Sequence, residues 1–423
     1  MVLLKKEEKM SEVKRPLEGV KVVEMATFIA APCTARFLAD LGADVIKVEA
    51  PKGDPLRYTA VNEGRPLDQK ENTSYDLENA GKRCVALNTK TEEGRAALEK
   101  LIAEADIFIC NWRQGPLKRA GLDWDTLHAK YPKLVMGYIS GYGEKGPDKD
   151  LPGFDFTAFY ARGGILGPLR DKKSTPMLTV QGFGDHQVAM NLAAGVLAAL
   201  YRAKMTGEGD QVVVSLFHSA VWDVSLMLQA SQYGADSCKF PMERWENGNP
   251  LTLCYRTKDD QWLQIAMPQY DRHYPVLMNA MGHPEMADDP RFYPQKNLVP
   301  NRKIFSEWIT DQFAQKDCAE WCKILDDADL PYAVAQNWDT LLVDKQAWAS
   351  DIFYEMQYSN GNKRTLVRPP VIFKEMGLPD YNRGPYLGEQ TEEILSQLGY
   401  SEEDIKSMEE SGAAVPMDPA LRD

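Results

Sequence analysis

The chain has 423 residues, 44% hydrophobic and 26% charged, with 49 basic against 62 acidic side chains and a formal net charge of -13. That is the composition of a soluble globular protein long enough for two or three domains and a large core. The acidic balance excludes a broad nucleic-acid surface but leaves room for a local basic pocket for a phosphorylated ligand.

Seven cysteines, Cys33, Cys84, Cys110, Cys238, Cys254, Cys318 and Cys322, are scattered without a CxxC. An odd, dispersed set argues against a disulfide framework and for a reducing cytoplasm. Five histidines stand far apart, with no HExxH and no Cys/His spacing of a zinc site, so no metal is expected. The opening "MVLLKKEEKMSEVKRPLEGV" is charged and lacks a signal-type apolar core. No apolar run approaches the roughly 18 residues of a membrane span.

In chain order, residues 20–24 (VKVVE) read as a buried strand, followed by a small-residue loop, "MATFIAA". Pro32 stands near a helix start, "CTARFLADLG" forms the helix, and Gly42 ends it. "ADVIKVEAP" is the next strand. "TEEGRAALEKLIAEAD" is a helix with Thr91 as N-cap, then come the strand "IFICN", the helix "DWDTLHAKYP" and the strand "LVMGYIS". This alternation predicts an α/β fold with a doubly wound, mostly parallel sheet. Ligands of such sheets lie beyond the carboxyl ends of the strands, which directs attention to the loops at 27–31, 111–115 and 141–147. "HQVAMNLAAGVLAALYRAKM" is apolar nearly all round and predicts a buried helix, leading through "TGEGD" to the strand "QVVVSLF". From about residue 231 the pattern breaks. "YRTKDDQWLQIAM" reads as a hairpin turning at Asp259-Asp260, inside a smaller α+β domain. The tail "GEQTEEILSQLGYSEEDIKSMEESG" holds two short helices around Gly399.

Several chemistries fail on their motifs. The loop after the first strand has no glycine before Gly42, so the GxGxxG of dinucleotide binding is absent, and no P-loop is present. Glu49 ends a strand as a ribose-binding acid would, but without the glycines a solvated strand end is the plainer reading. There is no GxSxG elbow, and nothing selects a Cys–His pair. The stretch "QGFGDHQVAM" remains. Asp185 stands after Gly182 and Gly184, at the head of the long helix. There it is either an ordinary N-cap or a carboxylate nucleophile, stabilised by unpaired N–H groups and approachable over the glycines.

"PLEGVKVVEMATFIAAPCTARFLADLGADVIKVEAPKGDPLRY", "NAGKRCVALNTKTEEGR", "ADIFICNWRQGPLKRAGLDWDTL", "GYGEKGPDKDLPGFDF", "GDHQVAMNLAAGVLAALYRAKMTGEGDQVVVSL" and "GPYLGEQTEEILSQLGY" resemble, in this order, the class III CoA-transferases, the formyl-CoA and carnitine CoA-transferase family. The resemblance runs from about residue 16 to 412. "GDPLRYTAVNEGRPL", "TSYDLENAGK" and "YGEKGPDKDLPGFDFTAFYARGG" look like the branch acting on phenyllactate, cinnamate and 2-hydroxyisocaproate in amino-acid-fermenting anaerobes.

This resemblance implies a Rossmann-like large domain plus a smaller α+β domain in an interlocked homodimer, divided at 1–225, 226–335 and 336–423. It implies Asp185 as the nucleophile, passing through an aspartyl mixed anhydride and an aspartyl-CoA thioester. No permanently bound cofactor is needed, and coenzyme A enters as the acyl-CoA substrate. Positions matching the family's CoA contacts are Phe28, Ala30, Lys82, Asn111, Trp112 and Arg119. Lys82 and Arg119 suit phosphates, Trp112 an adenine, and the N–H groups of Ile29, Ala30 and Ala31 a thioester oxyanion. Phe28, Phe154, Phe156 and Tyr160 suit an aryl acceptor, and Gln187 is either an acceptor contact or a first-turn polar residue. The implied reaction moves CoA from an enoyl-CoA such as cinnamoyl-CoA to (R)-phenyllactate or (R)-2-hydroxyisocaproate. A complex with a 2-hydroxyacyl-CoA dehydratase fits that product. No nucleic acid or membrane partner is expected.

One departure stands out. Formyl-CoA transferases carry a glycine run that closes over the nucleophile, and this chain has only "WENGNP" near that place. Alternatives are another acceptor carboxylate (carnitine, formate or oxalate, succinate), or an α-methylacyl-CoA racemase, which shares the fold but uses a His before an Asp. Here that motif reads Gly153-Phe154-Asp155, and phenylalanine accepts no proton. A non-catalytic acyl-CoA-binding protein or a dehydratase activator is a third class.

Overall fold

The computed structural model describes residues 15–236, 240–379 and 381–422, so residues 1–14 and Cys238 of the sequence reading lie outside it. The chain divides into two compact units. One comprises the chain up to Ile165, Leu178–Gln229, and everything from Trp348 on; the other is Leu166–Met177 with Ala230–Ala347.

In the first unit strands and helices alternate as the sequence pattern predicts. They run β1 (Lys21–Met25), α1 (Ala30–Asp40), β2 (Asp44–Glu49), α2 (Thr73–Asn79), β3 (Arg83–Leu87), α3 (Glu92–Glu104), β4 (Ile107–Cys110), α4 (Gln114–Ala120), α5 (Trp124–Lys130), β5 (Val135–Ser140), α6 (Phe183–Thr206), β6 (Gln211–Ser215) and α7 (Leu216–Asp223). Thr91 caps α3 by accepting from Gly94 N at 3.1 Å, worth about 1 kcal/mol. Strands such as "IFIC" are buried at every position, as a parallel sheet covered on both faces requires.

The second unit holds the antiparallel sheet β7 (Cys254–Arg256), β8 (Trp262–Ile265) and β9 (Tyr332–Val334), with helices α8 (Tyr270–Ala280), α9 (Arg302–Phe313) and α10 (Cys318–Asp327). The hairpin between β7 and β8 turns where the sequence suggests, with Asp260 at φ 65°. Tyr255, Leu263, Tyr274, Phe305, Phe313 and Trp321 fill this unit's own core. The chain then re-enters the first unit with the hairpin β10 (Phe353–Gln357) and β11 (Lys363–Val367), α11 (Thr391–Gln397), α12 (Glu402–Glu410) and β12 (Ala414–Val415).

The large sheet runs β12-β3-β2-β1-β4-β5-β6, with β1 to β6 parallel and β12 antiparallel on β3. The order 3-2-1-4-5-6 reverses direction between β1 and β4, and the loops leaving those two strands frame the crevice where such sheets bind ligands.

Two sequence expectations change. Glu49 is not a solvated strand end. It is buried, paired with Arg57 at 2.7 Å and hydrogen-bonded by the Tyr75 hydroxyl at 2.6 Å, because α2 folds back over the end of β2. Helix α6 is not buried all round. Val188, Leu192, Val196 and Leu200 face the core, while Ala194, Ala198, Tyr201 and Met205 face outward, the last two at 71% and 69% exposure. An apolar helix with an open apolar face implies that something else covers it.

Candidate active site

The crevice rests on a buried ionic bed. The register of β1 on β2 sets Glu24 opposite Lys47, and Lys47 Nζ meets Glu24 Oε1 at 2.7 Å and Asp54 Oδ2 at 3.0 Å. Lys82 Nζ donates to Glu24 Oε2 at 2.6 Å, to Pro32 O at 2.8 Å and to Asn79 Oδ1 at 2.8 Å. Burial pulls the Lys82 ammonium down to about 8, against the opposing pull of Glu24. All three Lys82 donors are thus satisfied inside the protein. A lysine one residue after a glycine turn looks exposed in sequence; the crossing of β1 beneath it is what encloses it.

Above this bed the loop after β1 is held at two points. Asn111 Oδ1 accepts from Thr27 N at 3.2 Å and Asn111 Nδ2 donates to Thr27 O at 2.8 Å, tying the loops of β1 and β4 together across the switch point. Asp54 Oδ1 accepts from Phe28 N at 3.0 Å and holds Phe28 at φ 66°, in the left-handed region that a non-glycine residue adopts only when constrained. After it the N–H groups of Ile29, Ala30 and Ala31 open α1 and have no acceptor among the described residues, as at any uncapped helix start. Thr34 Oγ1 donates to Ala189 O at 3.1 Å and binds α1 to α6, so the two helix heads lie side by side.

Asp185 is the third residue of α6. It is not the cap. Gly182 occupies the cap position at φ 87°, and a short π-helix, Asp155–Ala161, delivers the Asp155 carboxylate to Gly184 N at 3.1 and 3.3 Å. A Cβ on Gly184 would overlap both the Phe159 ring and that carboxylate, so glycine is required there for contact rather than for φ. With the cap supplied from another segment, the Asp185 carboxylate takes no hydrogen bond among the described residues. Burial, then the Asp155 and Glu78 carboxylates, push it up to about 7, against the pull of His186. Burial likewise lifts Asp155 to about 6, opposed by the N–H groups of Gly184 and Gly182.

His186 Nε2 lies 2.8 Å from Glu78 Oε1, and Glu78 is almost wholly buried. Burial lowers the imidazole's basicity, but Glu78 outweighs it and the net shift is upward. The Cys33 thiol faces the same carboxylate, and burial with Glu78 pushes it well up, so it stays a thiol. Donor atoms of Cys33, Glu78 and His186 lie within 4.8 Å of one another. The 2.8 Å contact and the protonated thiol make this set a hydrogen-bonded cluster.

Phe28 and Phe154 meet edge to face at 6.2 Å, and both are partly exposed, as is Phe156. Tyr160 is a core residue at 1% exposure, its ring tilted against that of Phe183 at 5.8 Å. Trp112 is half-buried against the sheet core. Arg119 is exposed on α4 with no ion pair among the described residues, and Ala30 is buried at the head of α1. Gln187 donates to Asp223 Oδ1 at 3.3 Å. A cleft of about 480 Å³ is lined by Lys82 together with Lys70, Tyr358, Arg383 and Tyr386 among others, and its lining includes none of Asp155, Asp185 and His186. Sequence reasoning passed over Asp155, Glu78 and Cys33. Asp155 was visible only as the tail of a failed racemase motif, and Glu78 only as part of "ENAGK".

The chain belongs to CoA-transferase family III, whose model matches residues 17–391. It is an enzyme, a class III CoA-transferase. It is 53% identical over 392 residues to the cinnamoyl-CoA:phenyllactate CoA-transferase of Clostridium sporogenes, covering 92% of this chain and 95% of that one. It is 40% identical over 395 residues to the (R)-2-hydroxy-4-methylpentanoate CoA-transferase of Clostridioides difficile, covering 93% and 98%. A CaiB/BaiF family protein from Brucella suis, known from its crystal structure, superposes with a TM-score of 0.77 at 28% identity, over 91% of this chain and all of that one.

Proposed function

We propose that this enzyme moves CoA from an enoyl-CoA such as cinnamoyl-CoA to a 2-hydroxy acid such as (R)-phenyllactate or (R)-2-hydroxyisocaproate, with Asp185 as nucleophile. One observation carries the reading: a half-buried carboxylate at a helix head, relieved of capping by Asp155 and without a hydrogen bond of its own. Such a group is more basic than an ordinary aspartate and correspondingly more nucleophilic once deprotonated.

In the first step an Asp185 oxygen attacks the thioester carbonyl, the C–S bond breaks, and CoA leaves as thiolate. The product is a mixed anhydride. The thiolate then attacks Asp185 Cγ, the enoate leaves, and an aspartyl-CoA thioester remains. The acceptor carboxylate attacks the same carbon and expels the thiolate, which attacks the acceptor's carbonyl and releases Asp185 as carboxylate. Overall one thioester is exchanged for another of similar energy, so the transfer needs no ATP. The N–H groups at the head of α1 suit the oxyanion. Phe28 and Phe154 suit an aryl group. Asn111, Trp112 and Arg119 are proposed along the CoA, Arg119 by its free guanidinium, and Lys82 would join them only by leaving Glu24. The outward apolar face of α6, with the exposed Trp222 of α7, supports burial in an interlocked homodimer. We place the reaction in the cytoplasm during amino-acid fermentation, upstream of a 2-hydroxyacyl-CoA dehydratase.

Mass spectrometry after mixing enzyme, cinnamoyl-CoA and hydroxylamine tests the nucleophile. Hydroxylamine attacks the activated Cγ and leaves a hydroxamate. The adduct is expected on Asp185 and absent from Asp185→Asn. Its absence from the wild type, with acyl-CoA bound, would sink this reading. Deuterium uptake at the α-carbon would then favour a racemase, although Phe154 offers no second base.

A further inference from the structure

Around Asp185 three carboxylates converge on one helix head. Asp155 comes from the π-helix and is used on Gly184 N; Glu78 comes from α2; Asp185 is on α6 itself. Of the cations facing the group, Arg36 on α1 is bonded to Asp40 and Leu77 O, and Lys82 is bonded to Glu24. Cys33 contributes a neutral thiol. On the outer side Asp223 faces Gln187. His186 is left as the cation next to the nucleophile, and Glu78 holds it by Oε1. The carboxylate also faces the neutral Cys33 thiol, and His186 at 2.8 Å is its ion-pair partner among the described residues.

We propose that Glu78 and His186 form a positioning pair for the transfer reaction: Glu78 keeps His186 protonated, and the imidazolium keeps Asp185 an anion when the acyl-CoA arrives. This rests on Asp185 being the nucleophile. Without the imidazolium, two like charges within the same pocket would favour the protonated, unreactive acid. The head of α6 adds a partial positive charge in the same direction, but it cannot be withdrawn, whereas the imidazolium titrates. His186 makes no bond to the substrate in this scheme. It acts through Asp185.

The test is the pH dependence of hydroxylamine-trapped labelling by cinnamoyl-CoA, in the wild type, His186→Gln and His186→Arg. Gln retains a hydrogen bond to Glu78 without the charge; Arg retains the charge. The acid limb of His186→Gln should move up by about one pH unit and regain its rate at alkaline pH, while His186→Arg should stay near the wild type. A His186→Gln profile that superimposes on the wild type, or falls equally at every pH, overturns the proposal. A measurement independent of catalysis accompanies it: NMR titration of 13C-labelled histidine in the full-length protein. The His186 resonance, identified by its response to Glu78→Gln, should titrate above the ordinary imidazole range and fall in that variant. A wild-type value at or below the ordinary range also overturns the pair. Labelling that persists in Asp185→Asn would instead remove the nucleophile, which the NMR result does not touch.

Discussion

The first unit holds two clusters of buried charge that behave in opposite ways. Beneath the crevice, Lys47, Lys82, Glu24 and Asp54 sit in alternation, every ammonium with carboxylate and carbonyl partners. Nearby, Glu49 is held down to about 2, its burial outweighed by Arg57, Lys47 and the Tyr75 hydroxyl. At the head of α6 the signs do not alternate. Three carboxylates meet one imidazole, and the carboxyl groups of Asp155 and Asp185 are raised. Paired buried charge gives a rigid floor with little reactivity. Unpaired buried charge is a cost to the fold, and it leaves Asp185, the proposed nucleophile, with a basicity that the surroundings have lifted.

Breaking the acidic side should show first in rate. Asp185→Asn or Asp185→Ala should lower turnover of acyl-CoA by at least about a thousandfold, measured as thioester exchange, while near-ultraviolet circular dichroism stays native. Breaking the paired side should show in stability. Glu24→Gln leaves Lys47 and Lys82 enclosed with one charge fewer between them, and urea unfolding should report a loss of about 3–5 kcal/mol.

The same comparison predicts a gain where function is removed. Asp185 gives up its proton near 3.8 in the unfolded chain and near 7 in the folded one, so across that window the folded state holds more protons. Stability therefore falls as pH rises through it. Asp185→Asn has no such proton, and above pH 7 it should be more stable than the wild type by something on the order of 2 kcal/mol, the advantage fading toward pH 4. The smallest effect should come from Asp155→Asn. The amide oxygen still accepts from Gly184 N, so the cap costs less than about 1 kcal/mol. Removing the charge should make Asp185 a stronger acid and shift the acid limb of the labelling reaction down in pH, opposite to His186→Gln. An upward or absent shift would mean that Asp155 acts through geometry alone.

Much of this was readable along the chain. The mostly parallel sheet follows from the alternation of apolar runs with helices, although β3 and α2 were not read, and the two tail helices follow from the break at Gly399. The singularity of Asp185 is local too: a glycine pair before a small-residue helix leaves a carboxylate room on its open side. The burial of Lys82 was not legible because its charge and its turn are local, while its partner Glu24 lies 58 residues away. Glu49 misled because its burial depends on Arg57, on the turn after β2, and on the Tyr75 hydroxyl, which α2 brings over the end of the strand.

What the sequence by itself determined, then, is the periodic content: which segments are strands, which are helices, and where an acid stands at a helix head. Periodicity is a property of neighbours in the chain. What only the tertiary structure decided is which of several buried charges are paired. Asp155 takes over the cap of α6 from 29 residues upstream, and Glu78 reaches His186 from 108 residues away. Electrostatic environment is set by distances of a few ångströms between segments with no sequential relation, and only packing brings those distances about.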